Sequence, residues 1–376
     1  MNQNLAELIE VSRVYGKNKA FVIAGGGNTS YKDENHIWIK ASGAALETID
    51  ENGFVSLSRE KLKIVSTRIY SEDSVLREAE VKADLSNAIV STGKNRPSVE
   101  TSLHEIIDYP FVVHTHPTKV NALMCSLHAA EACSELFGDQ ALFIPYTDPG
   151  YILFKKVKSD IEAYTTKYSK VPQIIFLENH GVFVAADTII EINQIYADII
   201  QKIDQKIQAD LPDNDQKTFE SPLIEHIGQL NPGFENYSAK GVISDLIHFF
   251  AINYESFLKA STAFTPDDIV YCKAYYLFVP FFNEDQKQIE STKILVSDYQ
   301  NAYGYLPKVL VLEGKGIIAI EENIKSVLNV LEVYTNILKI SFLSEYFGGP
   351  KFMNKTQIEF IDNWEVENYR RKMAKS

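Results

Sequence analysis

The sequence predicts an α/β fold, and three observations carry that expectation. Short runs rich in β-branched and aromatic residues alternate with longer stretches whose apolar residues recur at helical spacing. A strand-turn-strand-helix unit occurs twice, beginning at Pro172 and at Pro307, and the two copies align without a gap. With 45% hydrophobic and 23% charged residues, a chain of 376 is also long enough to fill two cores.

Taken in order, MNQNLAELIEVSRVYG at the amino terminus reads as an amphipathic helix carrying acidic residues, unlike the basic-then-apolar layout of a secretory signal. AFVIAG, residues 20–25, reads as a strand that runs into the stretch GGGNTS. Glycine costs about 0.5–1 kcal/mol of backbone entropy relative to alanine, so either the backbone turns tightly there or something comes close to it. HIWIKAS and FVSLS read as strands and EAEVKADLSNAIVST as a helix. In RPSVETSLH a helix starts, with Ser98 as a plausible N-cap. PFVVHTH is a strand, PTKVNALMCSLHAAEACSELFG one helix, ALFIPY and PQIIFLEN strands, and TIIEINQIYADIIQKIDQKIQADL a long helix. The polar, proline-bracketed PDNDQKTFESP then marks a boundary, giving domains 1–210 and 211–376. The longest apolar runs, FVVHTHP and PKVLVLEGKGIIAI, fall short of the roughly 20 residues that cross a bilayer, so no membrane span is expected.

Charge narrows the function. With 37 Lys+Arg against 50 Asp+Glu the net charge is -13, which leaves no broad electrostatic footprint for nucleic acid or a membrane surface. An anionic ligand must be caught by local backbone donors or by a metal. Cys125, Cys133 and Cys272 lie in apolar segments without metal-ligand spacing and read as reduced core residues of a cytoplasmic protein.

The residues that bear chemistry are histidines. In FVVHTHP, His114 and His116 sit at i and i+2 of a strand, so both leave the same face. Two such imidazoles either cap a strand end or await a third ligand. His180, ending another apolar strand before Gly181, could supply it and form an N₃ site suited to Zn²⁺ with coordination positions left open. The repeat sharpens this point. At a constant offset of 135 positions, Pro172, Glu178, Gly181 and Ile189 recur as Pro307, Glu313, Gly316 and Ile324, whereas His180 becomes Lys315. A glutamate kept in both copies reads as structural, accepting turn N–H groups; the histidine that differs is the functional candidate. His36, His104, His128, His226 and His248 read as structural or surface residues. Glu100 is either a first-turn acid favoured by the helix dipole or a general acid/base facing a metal. The glycine loop lacks the GK[ST] of a nucleotide P-loop and the third glycine of the dinucleotide fingerprint, leaving an anion nest or an ordinary turn.

The ordered set GGGNTS, IKASG, PSVE, HTHP and ENHG resembles the class II aldolase/adducin family. WIKASG and FGDQALFIPYTDPGY are similar to the aldolase part of the bifunctional rhamnulose-1-phosphate aldolase/dehydrogenases, as is the tail GGPKFMNKTQIEFIDNWEVENYRRKM. That resemblance implies a three-layer α/β/α aldolase-like fold, with the tail as a second, degenerate copy of part of the domain. It implies Zn²⁺, or another divalent metal as the alternative, on His114, His116 and His180, and Glu100 as acid/base and reversible ligand. It also implies a substrate phosphate held by Gly26, Gly27, Asn28, Thr29, Ser42, Gly43 and Ser98; Val99 departs from a family preference for a second hydroxyl there. The implied reaction is reversible cleavage of a ketose 1-phosphate by a cytoplasmic homo-oligomer, a dimer or tetramer, that takes small sugar phosphates and neither nucleic acid nor membrane. A pentulose phosphate 4-epimerase and a non-catalytic adducin-like module are the alternatives within the family. In the second copy FTPDDIVYC is expected to align with IKASGAALE, which would set Asp267 and Asp268 against Ser42 and Gly43.

Overall fold

The computed structural model describes residues 3–93 and 95–363. The chain forms two compact units, Met1–Met124 with His128–Lys206, and Cys125–Leu127 with Ile207–Ser376. The last ten residues of the aldolase-like tail motif lie outside the described residues.

The first unit is built on a seven-stranded sheet in the order β3-β2-β1-β4-β7-β6-β5. Its strands are β1 (Asn28–Lys32), β2 (His36–Lys40), β3 (Phe54–Ser58), β4 (Phe111–Thr115), β5 (Leu142–Ile144), β6 (Ile174–Leu177) and β7 (Gly181–Ala186). Neighbours run antiparallel except for the β5–β6 pair. Every residue of β4 and β7 is buried, as continuous apolar runs require when both faces are covered. On one face Val112, Phe183, Ile175 and Leu177 pack with Leu103 and with Leu153, Phe154 and Val157 of the helix Tyr151–Tyr168. On the other, Tyr196 of the helix Ile189–Asp204 accepts a hydrogen bond from Thr115 and donates one to the Val113 carbonyl. Helices on both faces of one sheet make the three-layer arrangement.

Two local expectations fail in this unit. Residues 20–25 are not a strand: Ala24 and Gly27 adopt positive φ (49° and 72°), which breaks the extended path, and β1 starts only at Asn28. The segment from Pro117 is two helices, Thr118–Met124 and Ala129–Phe137, rather than one. Between them Cys125–Leu127 leave helical geometry to pair with the second unit's own chain, Ser126 bridging Pro350 and the Leu127 N–H bonding to the Gly349 carbonyl. Apolar periodicity ran through this break because its residues are themselves mostly buried.

The second unit carries a five-stranded sheet, β10-β11-β12-β9-β8. Its strands are β8 (Lys217–Phe219), β9 (Ser238–Ile243), β10 (Leu277–Val279), β11 (Val309–Leu312) and β12 (Gly316–Glu321). Order and directions reproduce β5-β6-β7-β4-β1, with the parallel pair again at the same edge. Even the register repeats, since Val182 faces Thr115 in one sheet and Ile317 faces Val242 in the other. The repeated glutamates act alike: Glu178 accepts the Tyr146 N–H at 2.9 Å and Glu313 the Phe281 N–H at 3.4 Å. The turn asparagine and glycine correspond as well, Asn179 donating to Met124 and Gly314 to Ala251 through their N–H groups.

One alignment is overturned by this topology. FTPDDIVYC forms the helix Pro266–Cys272 after β9, the counterpart of β4, whereas IKASG precedes β4. Asp268 there closes a capping box with Thr265 and is no counterpart of Gly43. Among the described residues, one helix, Ile324–Phe347, is long and apolar enough to cross a membrane; 72% of that window is buried inside the protein, the signature of a core helix.

Candidate functional site

The three histidines predicted as ligands meet at one point. His114 lies on β4, the middle strand of its sheet, and His116 follows it by two positions, so strand alternation aims both rings at the same side. His180 arrives from the β6–β7 turn, where Asn179 takes the left-handed conformation (φ 54°) that asparagine tolerates. The Nε2 of His114 lies 3.0 Å from that of His116 and 3.4 Å from that of His180. His114 is wholly buried, its Nδ1 donates to the Val182 carbonyl at 3.0 Å, and its ring stacks on Phe183 at 4.0 Å. With the proton fixed on Nδ1, the Nε2 lone pair faces its neighbours. Burial pushes His114 well below the ordinary histidine range, opposed by Glu100.

Glu100 completes the cluster from the start of the helix Thr101–Ile106, with Oε2 3.5 Å from His114 Nε2 and Oε1 3.5 Å from His180 Nε2. Burial alone would raise this carboxyl; His114, His180 and the Asn28 amide, which donates to Oε2 at 2.6 Å, outweigh it and hold it down to about 2. Oε1 is buried and, among the described residues, accepts no hydrogen bond. Three imidazole lone pairs at one centre, beside a carboxylate oxygen without a hydrogen-bond donor, form a donor set that wants a cation. A tetrahedral ion with bonds of about 2.0–2.1 Å spaces its nitrogens about 3.3 Å apart, close to the two separations that His114 makes, and all three ligand atoms lie within 4.8 Å of one another.

The other predicted residues divide. Ala41 bridges Pro97, and the Ser98 N–H bonds to the Lys40 carbonyl, so KASG and PSVE lie side by side next to Glu100. Gly27 needs its positive φ, and a Cβ there would meet the His114 carbonyl oxygen at 2.8 Å; what approaches this glycine is the backbone of β4. Thr29 does not fit a phosphate site: alternation along β1 turns its hydroxyl away from Asn28 onto Ser12, at 2.7 Å. Gly26 has only its N–H to offer, and that bonds to the Ile23 carbonyl. The N–H of Ser42 is likewise taken, by Arg96, leaving side-chain hydroxyls at Ser42 and Ser98. The N-cap of the Glu100 helix is Glu100 itself rather than Ser98, whose Oγ accepts the Glu100 N–H at 3.3 Å.

Sequence reading passed over His104. It is buried inside this cluster, with Nε2 on the Asn28 Oδ1 and Nδ1 2.7 Å from the Ser30 hydroxyl. Its position four residues after Glu100, and so on the same side of one helical turn, was the available signal. In the second unit the register places Gly241, Ile243 and Lys315 where the first has His114, His116 and His180. Lys315 there rests its ammonium over the Phe281 ring at 4.5 Å.

Gly181 is constrained by the histidines. A Cβ at this position would meet His116 Cδ2 at 2.6 Å and the Thr115 carbonyl at 2.7 Å. Gly181→Ala is therefore expected to displace the His116 ring, lowering metal affinity by about 10- to 100-fold, the range for disturbed ligand support. Competitive chelator titration of the two proteins checks this.

Residues 6–197 match the family described as Class II Aldolase and Adducin N-terminal domain. Across the whole chain, 21% identity over 418 residues relates it to YuxG of Bacillus subtilis (strain 168), named an uncharacterized oxidoreductase; the match takes in 99% of this chain and 59% of that protein's length. Among solved structures, the N-terminal class II aldolase domain of a conserved protein from Thermoplasma acidophilum is 25% identical, covering 55% of this chain and 94% of its own, with a TM-score of 0.46. An L-fuculose-1-phosphate aldolase from Thermus thermophilus is 12% identical over 55% of this chain and 94% of its own, with a TM-score of 0.36.

Proposed function

The chain belongs to the class II aldolase and adducin family, and from that premise we propose that it is a Zn²⁺-dependent aldolase. It cleaves a ketose 1-phosphate of the rhamnulose or fuculose type reversibly to dihydroxyacetone phosphate and an aldehyde, acting as a cytoplasmic dimer or tetramer. The observation that carries this reading is the convergence of His114, His116 and His180 beside the Glu100 Oε1 that accepts no hydrogen bond.

Each residue has a task. His114, His116 and His180 would hold the cation through Nε2, with the tautomer of His114 set by Val182. When bound, the cation supplies Lewis-acid stabilisation of the negative charge that develops on substrate oxygens as the C–C bond breaks. Glu100 takes a proton from the carbon beside the carbonyl in the synthetic direction, matched by the proton gained by the aldehyde oxygen; in cleavage the hydroxyl that becomes the aldehyde gives up its proton and Glu100 delivers one to the carbon. Ser42 and Ser98 offer hydroxyls for the phosphate, with Gly43 following Ser42 in the same turn; anchoring it orients the reacting carbons.

The test joins metal analysis of the purified protein to a screen of ketose 1-phosphates. The expected result is about one zinc per chain, release of dihydroxyacetone phosphate and aldehyde, and loss of both metal and turnover on chelation with recovery on adding Zn²⁺. A metal-loaded protein that interconverts 4-epimers without releasing an aldehyde would overturn the aldolase reading.

A further inference from the structure

Four side chains from two separate stretches of sequence form one hydrogen-bonded line: Ser30, His104, Asn28 and Glu100. Their donors and acceptors fix one another. An ionised carboxylate only accepts, so the Asn28 Nδ2 that lies 2.6 Å from Glu100 Oε2 is the donor there. The Asn28 Oδ1 then faces His104, and a carbonyl oxygen only accepts, so the proton of the His104 ring sits on Nε2. The Nδ1 in turn accepts the Ser30 hydroxyl proton at 2.7 Å. Turning the Asn28 amide over would set its oxygen against the carboxylate, which the whole line opposes.

From this arrangement we propose that His104 is a positioning residue: through Asn28 it fixes Glu100 Oε2 and leaves Oε1 as the one oxygen that exchanges a proton with substrate. The two oxygens are already unequal, since Oε2 is hydrogen-bonded and Oε1 is buried without a hydrogen-bond donor. His104 is suited to a fixed role. Burial pushes it down to about 3, with Glu100 opposing and Lys32 assisting, so the ring stays neutral. The helix end that bears it is held in place by Lys32, whose ammonium donates to the His104 and Ile107 carbonyls at 2.5 Å each.

The inference rests on Glu100 being the acid/base, and the rival is a histidine that merely packs, edge-on to Phe183 at 5.3 Å. His104→Phe separates them, because a phenyl ring keeps that packing and loses the donor. In the metal-loaded protein we expect kcat to fall about 10- to 100-fold, the cost of losing such an outer partner, with KM and zinc content near native. His104→Gln, whose side-chain N–H reaches the same acceptor, is expected to recover most of the loss. A second reading needs no turnover: the infrared carboxylate band assigned to Glu100 by its disappearance in Glu100→Gln should shift in His104→Phe and return in His104→Gln. If His104→Phe does not fold, Ser30→Ala carries the test and should move the band in the same direction by less. An unshifted band, or native kcat in His104→Phe, overturns the proposal. A native protein without aldol turnover but with the shifted band would sink the reaction and keep the hydrogen-bonded line.

Discussion

His180→Ala is expected to give a folded protein that holds no stoichiometric metal and cleaves substrate about a thousandfold more slowly, if at all. The size follows from the role: charge stabilisation by a bound cation is worth several kcal/mol, and about 4 kcal/mol corresponds to a factor of about a thousand. Removing this ring leaves the His114 and His116 nitrogens 3.0 Å apart, a two-nitrogen set with no third arm. Folding should survive, because the His180 side chain is 18% exposed and its N–H bond to the Leu177 carbonyl belongs to the main chain. Metal content by mass spectrometry of the digested protein, read beside the thermal unfolding curve, decides the matter. Lys315→His serves as the control from the second unit: Gly241 and Ile243 stand where the other ligands would be needed, so it should gain no metal. A fully loaded and active His180→Ala would remove His180 from the ligand set.

The same comparison explains what could be read in advance. His114 and His116 were legible because a strand has a period of two, and the rule held to atomic scale. His180 was legible because its counterpart in the repeat carries different chemistry on the same turn, while Glu178 and Glu313 kept theirs. What escaped was information that only pairing supplies. The match of β8 and β9 to β1 and β4 lies in strand order and register, with little shared sequence, so FTPDDIVYC was aligned to the wrong side of the repeat. The glycine loop pointed to a real constraint, but the group pressed against Gly27 is the His114 carbonyl of a neighbouring strand. A histidine on a helix is ordinary, and what distinguishes His104 is its bond to Asn28, 76 positions away.

Glu100→Gln should have the second large effect and the opposite profile: full metal content with turnover lower by about 10²- to 10⁴-fold, the usual worth of a positioned acid/base. The glutamine amide can replace the carboxylate nearly atom for atom. Asn28 donates to Oε2, so the glutamine must put its carbonyl oxygen there and its NH₂ where Oε1 was, 3.5 Å from His180 Nε2. That orientation keeps the hydrogen bond to Asn28, and with it His104 and Ser30, so stability should change little. It leaves the three imidazoles untouched, which is why the metal stays. What it lacks is a lone pair able to take a proton at Oε1, so the deficit should appear in kcat while KM for the sugar phosphate remains close to native. Isotope exchange sharpens the measurement: native protein given dihydroxyacetone phosphate in deuterated water should exchange one carbon-bound proton, and Glu100→Gln should not. Exchange at the native rate in Glu100→Gln would move the proton transfer to another group. Loss of the metal from this variant would instead make Glu100 a ligand in its own right, and the partition of roles between three imidazoles that bind and one carboxylate that moves a proton would have to be redrawn.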